Sequence, residues 1–406
     1  MANGPLAGLK VVDFSRVLAG PHCAKTLHDL GADVIKIEPP RPDISRSALP
    51  KNDTMSYYYI QQNTGKRNIS LDLNHPEARD IAMELCRQAD IVVENFRAGT
   101  LAFFGLDYES VRQQNPRVVY ASISGYGQGG PLSHRAAYAP TVHAESGFTS
   151  TFLSHLSGDL ATDRHDAYSH ADIYTGLEAV IGILAALHKR SLTNEGQYVD
   201  IAMAATMLSV NERVHIDLSG VDIGAEPAAL GPAQSPFFTT VGGEKITIAT
   251  SVVSSLTFPF YLTAMRRPEL ASDPRFSTPA LRAKNLEAFH AIVQNWILTF
   301  DSLDTLDAQL DEAKLAFGVV RDIGDFARSD WAEWWGAIDE VDDRAGGMVR
   351  IPGKPWRFSA DKLDHPGVPA FRGEHNKEVL KELGRCEKEI DALTRKGAIT
   401  ADPVPQ

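Results

Sequence analysis

The sequence predicts an α/β protein, with a large domain on a doubly wound parallel sheet and a smaller α+β domain after it. Three observations lead to that expectation. Residues 9–14 (LKVVDF) and 33–37 (DVIKI) are apolar runs separated by a helix-length stretch, a strand–helix–strand unit that implies parallel strands. Similar runs return at 68–71, 90–93 and 117–123, separated by helical patterns. Far downstream, 237–249 alternates about Gly242-Gly243 as an antiparallel hairpin does, and helices follow it.

In the first unit, Ala19-Gly20-Pro21 ends the strand and opens a helix over 22–30, which Gly31 closes. The turn lacks G-x-G-x-x-G, so dinucleotide binding is not indicated. Glu38-Pro39-Pro40-Arg41-Pro42 is a stiff, extended exit. Residues 63–67 lead into strand 68–71, and Asp72-Leu73-Asn74-His75-Pro76 caps a helix running to about 89. Strand 90–93 ends at Glu94-Asn95-Phe96-Arg97. In open α/β sheets ligands sit beyond strand carboxyl ends, which places Asn95 and Arg97 to meet one. The other reading is a plain turn with Asn95 in a left-handed conformation. A helix over 100–114 breaks at Gly105. Strand 117–123 then enters 124–131 (SGYGQGGP), where Pro131 and a polar segment replace the helix a phosphate loop needs. A mobile glycine loop beside a site is the better expectation.

Residues 167–190 stand out. Tyr168, Ser169 and His170 lead to one carboxylate, Asp172. Gly176 and an apolar helix over 177–187 follow, ending in His188, Lys189 and Arg190. A lone Asp at the start of an apolar helix has the geometry of a fixed anionic nucleophile, and equally of an N-cap. A strand–helix transition follows over 198–207. Residues 218–234 are rich in Gly, Ala and Pro and read as a linker. Helices over 254–265, 280–300 and 302–312, with a strand at 317–320, complete the small domain. Residues 326–335 look helical, 341–351 and 355–358 look like β segments, and 374–383 and 388–396 are C-terminal helices. The tail 399–406 reads as frayed. The division is therefore 1–217 large domain, 218–234 linker, 235–325 small domain and 326–406 return to the large domain.

The chain has 406 residues, enough for two domains, with 43% hydrophobic and 23% charged residues. Its net charge of −12, with no basic block, argues against nucleic acid as the main partner. Cys23, Cys86 and Cys386 fit neither a disulfide framework nor a zinc site and suit a reducing cytosol, so no metal is expected. The start, MANGPLAGLK, has no apolar core of a signal peptide, and the longest apolar run, 180–187, is too short to span a bilayer. A cytoplasmic protein with no membrane partner is expected.

Seven blocks, in order and over nearly the whole chain, resemble the class III CoA-transferases. They are LKVVDFSRVLAGPHCAKTLHDLGADVIKIEPP, NTGKRNISLDL, VVENFRAGT, NPRVVYASISGYGQGGP, ADIYTGLEAVIGILAALHKR, EGQYVDIAM and GEHNKEVLKELG. α-Methylacyl-CoA racemases are close relatives of that group. The resemblance implies a Rossmann-like CoA-binding large domain and a small domain, with both chain ends in the large one. It also implies a homodimer of interlocked rings, and coenzyme A entering as an acyl-CoA co-substrate with a small carboxylic acid as its partner. The family's nucleophilic aspartate falls at Asp172. Its CoA contacts fall at Val17, Leu18 and Ala19, at Leu71 to Asn74, at Asn95, Phe96 and Arg97, and around Ala136 to Ala139, including Tyr138.

The match is uneven. Formyl-CoA transferase has a glutamine at the position of Leu18, arginines at those of Pro39 and Phe103, and a lysine at that of Ala136, which argues against oxalate specificity. Arg41, Arg46, Lys66 and Arg97 are the candidates for the missing charge on the CoA phosphates. Racemases of this fold carry His-Asp where this chain has Tyr138-Ala139, so the second acid/base that racemisation needs is absent there. His143 and Glu145 lie off the matched position and read as a helix face with satisfied polar contacts. The resemblance thus implies a CoA-transferase working through an aspartyl anhydride and an aspartyl-CoA thioester. A racemase or CoA isomerase of the same fold, or a non-catalytic CoA-binding subunit of a hetero-oligomer, are the alternatives.

Overall fold

The computed structural model describes residues 3–150, 168–212, 214–219 and 235–404. The chain forms two compact units, Met1–Val214 with Asp330–Gln406, and His215–Ser329.

The first unit is built on six strands: β1 (Lys10–Asp13), β2 (Asp33–Glu38), β3 (Arg67–Ser70), β4 (Ile91–Glu94), β5 (Val119–Ser124) and β6 (Gln197–Ala202). They pair in parallel, in the order β3-β2-β1-β4-β5-β6. The helices that matter below are α1 (Ala19–Asp29), α2 (Tyr57–Asn63), α3 (Pro76–Gln88), α4 (Thr100–Phe103), α5 (Tyr108–Gln114), α6 (Ala139–Glu145), α7 (His170–Thr193) and α8 (Met203–Ser209). The strands are apolar almost throughout because both faces are covered. Val12, Ile69, Val92 and Tyr120 face a core closed by α3, α5 and the helices Asn376–Glu382 and Glu387–Arg395. Val11, Val34, Ile91 and Val119 face a second core with Cys23, Ala24 and Leu27 of α1 and Ala179, Val180, Ile183 and Ala186 of α7.

Several expectations need correction. α7 begins at His170, before Asp172, and has 24 residues. Among the described residues it is the one helix long and apolar enough to cross a membrane by length and composition, yet its Ala179, Ile183 and Ala186 are fully buried against the sheet. The helix face read at His143 and Glu145 belongs to α6, whose bounds were not foreseen. The segment 355–358 is no strand: Ile338–Asp342 pairs antiparallel with Met348–Pro352, while Trp356 packs against the α1 and α7 core. The tail is docked as far as Asp402. Ile399 bridges Leu71 and is buried, and Asp402 pairs with Arg372 at 2.5 Å. Apolar Ala398 and Ile399 gain more from that burial than fraying would return in entropy.

In the second unit, Phe237–Thr239, Lys245–Ile248 and Phe317–Val319 form a three-stranded antiparallel sheet over a core that includes Phe258, Phe276 and Phe289. The helix expected over 280–300 is two helices, Pro279–Lys284 and Leu286–Ile297, divided at Asn285. Of the expected linker, Leu218 and Ser219 end the helix Val214–Ser219, and 220–234 lie outside the described residues.

Candidate active site

Strand order reverses between β1 and β4, and at such a switch point the loops after the two strands diverge and leave a crevice at their carboxyl ends. A cleft of about 460 Å³ opens there. Arg16, Val17, Leu18 and Ala19 follow β1 into it, and Asn95, Phe96, Arg97 and Thr100 follow β4. Ser124 and Gly125 come from the end of β5. The segment before α6 brings Arg135 and Tyr138, α2 brings Tyr58, and α7 brings Asp172.

Asp172 is not the cap of its helix. Ser169 is the N-cap, and Asp172 is the third helical residue. Its carboxylate accepts the backbone N–H groups of Ala19 and Ala139. Those are the first helical residues of α1 and α6. Three helix amino ends therefore converge on one carboxylate. Each supplies N–H groups without an intrahelical partner and the positive end of a dipole, which favour an anion. Burial works the other way and prevails, raising the Asp172 carboxyl to about 6 against the two N–H bonds. The result is an ionised, directed and poorly hydrated carboxylate near neutral pH. Tyr58 lies close enough for the charges of Asp172 and Asp43 to add to burial in raising its phenol, so it stays a hydrogen-bond donor.

The convergence depends on close packing. A Cβ at Gly176 would stand 2.8 Å from the Ala19 carbonyl oxygen, so only glycine lets α7 approach the start of α1 this closely. Val17 holds a positive φ of 66°, strained for a β-branched residue, and its N–H donates to the Asp43 carboxylate at 3.1 and 3.2 Å. Asn95 accepts from the Arg16 N–H at 2.9 Å and donates to the Arg16 carbonyl at 2.8 Å, tying the loop after β4 to the loop after β1. Its amide therefore shapes the wall of the cleft.

Beneath this loop lies a buried charge network. Lys66 Nζ donates to Asp13 at 2.9 Å, to the Pro21 carbonyl at 2.9 Å and to Asn63 at 3.0 Å. Burial opposes ionisation of Asp13, but Lys66 and Lys36 outweigh it and hold the carboxyl below its usual value. Burial likewise opposes ionisation of Glu38, and the Arg46 guanidinium at 2.6 Å brings its carboxyl down to about 2. Arg46 also lies over the Tyr59 ring at 3.8 Å.

Of the residues singled out by sequence, the cleft brings together Asp172, Val17, Leu18, Ala19, Asn95, Phe96, Arg97 and Tyr138. Leu71 and Asn74 are not among its walls. Leu71 is fully buried against the C-terminal tail, and exposed Asn74 bonds to Asp72 at 3.0 Å. Arg46 and Lys66 are committed to Glu38 and Asp13, and Arg41 is exposed outside the cleft. Ser124 and Gly125 belong to the glycine loop expected beside a site, whereas Arg16, Arg135 and Tyr58 were missed, because contacts made through a tertiary cleft leave no periodic signal. Arg135 pairs with Glu145 at 2.5 Å, and Arg16 lies 5.8 Å from the centre of the Phe96 ring. The Ser124 hydroxyl has no hydrogen-bond partner among the described residues. Among them, too, no group of three His, Cys, Asp or Glu could hold a metal ion.

Comparison with known proteins bears on this site. Residues 6–376 match the sequence model of CoA-transferase family III. The chain is 32% identical to the succinyl-CoA:mesaconate CoA-transferase of Haloarcula hispanica, over 94% of this chain and 97% of that protein. It is 33% identical to the acetyl-CoA:oxalate CoA-transferase of Acetobacter aceti, over 95% and 97%. Among solved structures it is similar to a CAIB/BAIF family protein from Brucella suis, with a TM-score of 0.76 and 32% identity, covering 94% of this chain and 100% of that one.

Proposed function

The chain belongs to CoA-transferase family III and is a class III CoA-transferase, and on that premise we propose that Asp172 is the nucleophile that carries CoA from an acyl-CoA donor to a carboxylic acid. The observation that supports this reading is the convergence of Ala19 and Ala139 N–H groups on a carboxylate raised to about 6 inside the cleft.

The exchange is close to isoenergetic, so the catalyst's task is to divide one slow step into several faster ones. An Asp172 oxygen attacks the donor's thioester carbonyl, and CoA thiolate leaves with the bonding electrons, giving a mixed anhydride. Thiolate then attacks the aspartyl carbonyl and expels the donor acid, which carries away the aspartyl oxygen. The acceptor carboxylate attacks the resulting aspartyl-CoA thioester, forming a second anhydride and freeing thiolate again. Thiolate finally attacks the acceptor's acyl carbonyl, leaving acyl-CoA and a restored Asp172 that has taken one oxygen from the acceptor. No proton is consumed. Anhydrides hydrolyse readily, which favours a site as dry as the one around Asp172.

Val17, Leu18, Ala19, Asn95, Phe96, Arg97 and Tyr138 are proposed to line the path of the CoA arm. Arg16 and Arg97 at its walls take the part of the family's basic contacts missing at Pro39, Phe103 and Ala136. The two relatives named above act on short dicarboxylic acids or their thioesters by name, and an acceptor of that class suits a cleft with Arg16, Arg97 and Arg135 on its walls.

Two copies of the chain are proposed to associate. Leu177, Ile181 and Leu184, spaced along one face of α7, remain exposed, Ile181 at 59%. Such an apolar stripe suits a partner surface. The racemase reading lacks its second acid/base, because Tyr138 and Ala139 stand where racemases of this fold carry His-Asp.

The test is CoA exchange between succinyl-CoA and a panel of isotopically labelled dicarboxylic acids, read by mass spectrometry. Exchange by the wild type and none by Asp172→Ala supports the reading. Equal exchange by both proteins refutes it.

A further inference from the structure

His143 lies on α6, one turn after Ala139, and is buried to 2% exposure. Residues four apart share a helix face, so both point towards α7. The ring packs 4.9 Å from Phe148 and 6.1 Å from His170, centre to centre. His170 in turn stacks on Tyr174 at 5.5 Å. The N–H of Ala171 donates to His143 Nε2 at 3.0 Å. Ala171 is the second helical residue of α7 and fully buried, and it immediately precedes Asp172. Its N–H is one of the groups that a helix start leaves without an internal partner. The usual remedy is the N-cap side chain, but Ser169 makes no such bond. An imidazole from a neighbouring helix performs that task.

The two helices are thus joined reciprocally. α6 donates its Ala139 N–H to the side chain of Asp172, and α7 donates its Ala171 N–H to the side chain of His143. Nε2 accepts and therefore carries no proton, so it has neither a proton to give a substrate nor a free lone pair to take one.

We propose that His143 is a positioning residue for Asp172: its Nε2 fixes the first turn of α7 against α6, and so sets the direction of the nucleophilic carboxylate. This rests on the assignment of Asp172 as the nucleophile and goes beyond it. A side chain that only fills space would be replaceable by any apolar group of similar bulk. A positioning acceptor is replaceable only by another acceptor.

The experiment compares His143→Leu, which keeps bulk and loses the acceptor, with His143→Gln, whose side-chain carbonyl can accept the same N–H. Exchange kinetics and CoA binding are measured on the full chain, beside wild type and Asp172→Ala. His143→Leu is expected to lose roughly 10- to 100-fold in kcat, the scale of a misdirected reacting group, while KM for acyl-CoA changes less than about twofold. His143→Gln is expected to recover kcat to within about threefold of wild type. Unchanged kcat in His143→Leu, or equal losses in both variants, overturns the proposal. If His143→Leu does not fold, ¹⁵N NMR of the wild-type imidazole decides: an unprotonated Nε2 is expected, and a protonated one overturns it. Activity persisting in Asp172→Ala would instead defeat the nucleophile assignment, a different outcome in the same series.

Discussion

The Ala139 N–H, at the start of α6, donates to the carboxylate of Asp172 in the first turn of α7. Ala19 does the same from the start of α1. A carboxylate held by two main-chain donors is directed by neutral groups, whereas a paired cation would blunt its attack. Tyr58, its phenol raised by burial and then by the charge of Asp172, faces the same cleft as a neutral donor.

Removing the nucleophile should separate chemistry from binding. Asp172→Asn is expected to bind acyl-CoA within about threefold of wild type while losing more than about 10⁴-fold in kcat, a loss on the scale of deleting a nucleophile. Calorimetric CoA binding beside an exchange assay reads both quantities.

The pH profile should report the same group. Burial raises the Asp172 carboxyl from 3.8 to about 6, and only the anion attacks. kcat/KM should therefore rise with pH through about 6 and level off above it. An acid limb near 4, where an ordinary aspartate titrates, would contradict a buried carboxylate.

Stability should move in the opposite sense. The folded protein holds the Asp172 proton more tightly than the unfolded chain does, so stability from this group is present below about 3.8 and is lost as pH rises through about 6. At pH 7.5 Asp172→Asn should be more stable than wild type by roughly 1–3 kcal/mol, and the difference should shrink towards pH 4. Urea titrations at the two pH values measure it.

Lys66 should behave as a structural cation. It is fully enclosed with Asp13, Asn63 and the Pro21 carbonyl. Lys66→Met leaves Asp13 buried and unpaired by it and should cost about 3–5 kcal/mol in chemical denaturation. Arg97→Ala, at the exposed wall of the cleft, should leave stability within about 0.5 kcal/mol and raise KM for acyl-CoA several-fold, less so at high salt.

The strands were legible because runs such as KVVD and IVVE are buried on both faces, and that pattern is local. Asp172 was legible as a polar residue standing before an apolar helix. Its surroundings were not. Ala19 and Ala139 contribute main-chain N–H groups, which any residue type but proline could supply, so sequence composition holds no trace of them. Lys66 and Arg46 misled for the converse reason: a basic side chain reads as solvent- or phosphate-facing until Asp13 and Glu38 are found beside it. Asn74 and Leu71 lie past the end of β3, two strands away from the switch point, where the cleft does not reach.

The most direct test of the account follows an oxygen atom. Turnover of succinyl-CoA with a dicarboxylic acid labelled with oxygen-18 in its carboxylates should transfer label into the side chain of Asp172, detectable in the peptide that contains it. Label at Asp172 after exchange is the predicted result. Full turnover with an unlabelled Asp172 would show that CoA changes hands without an aspartyl anhydride, and the account would fall.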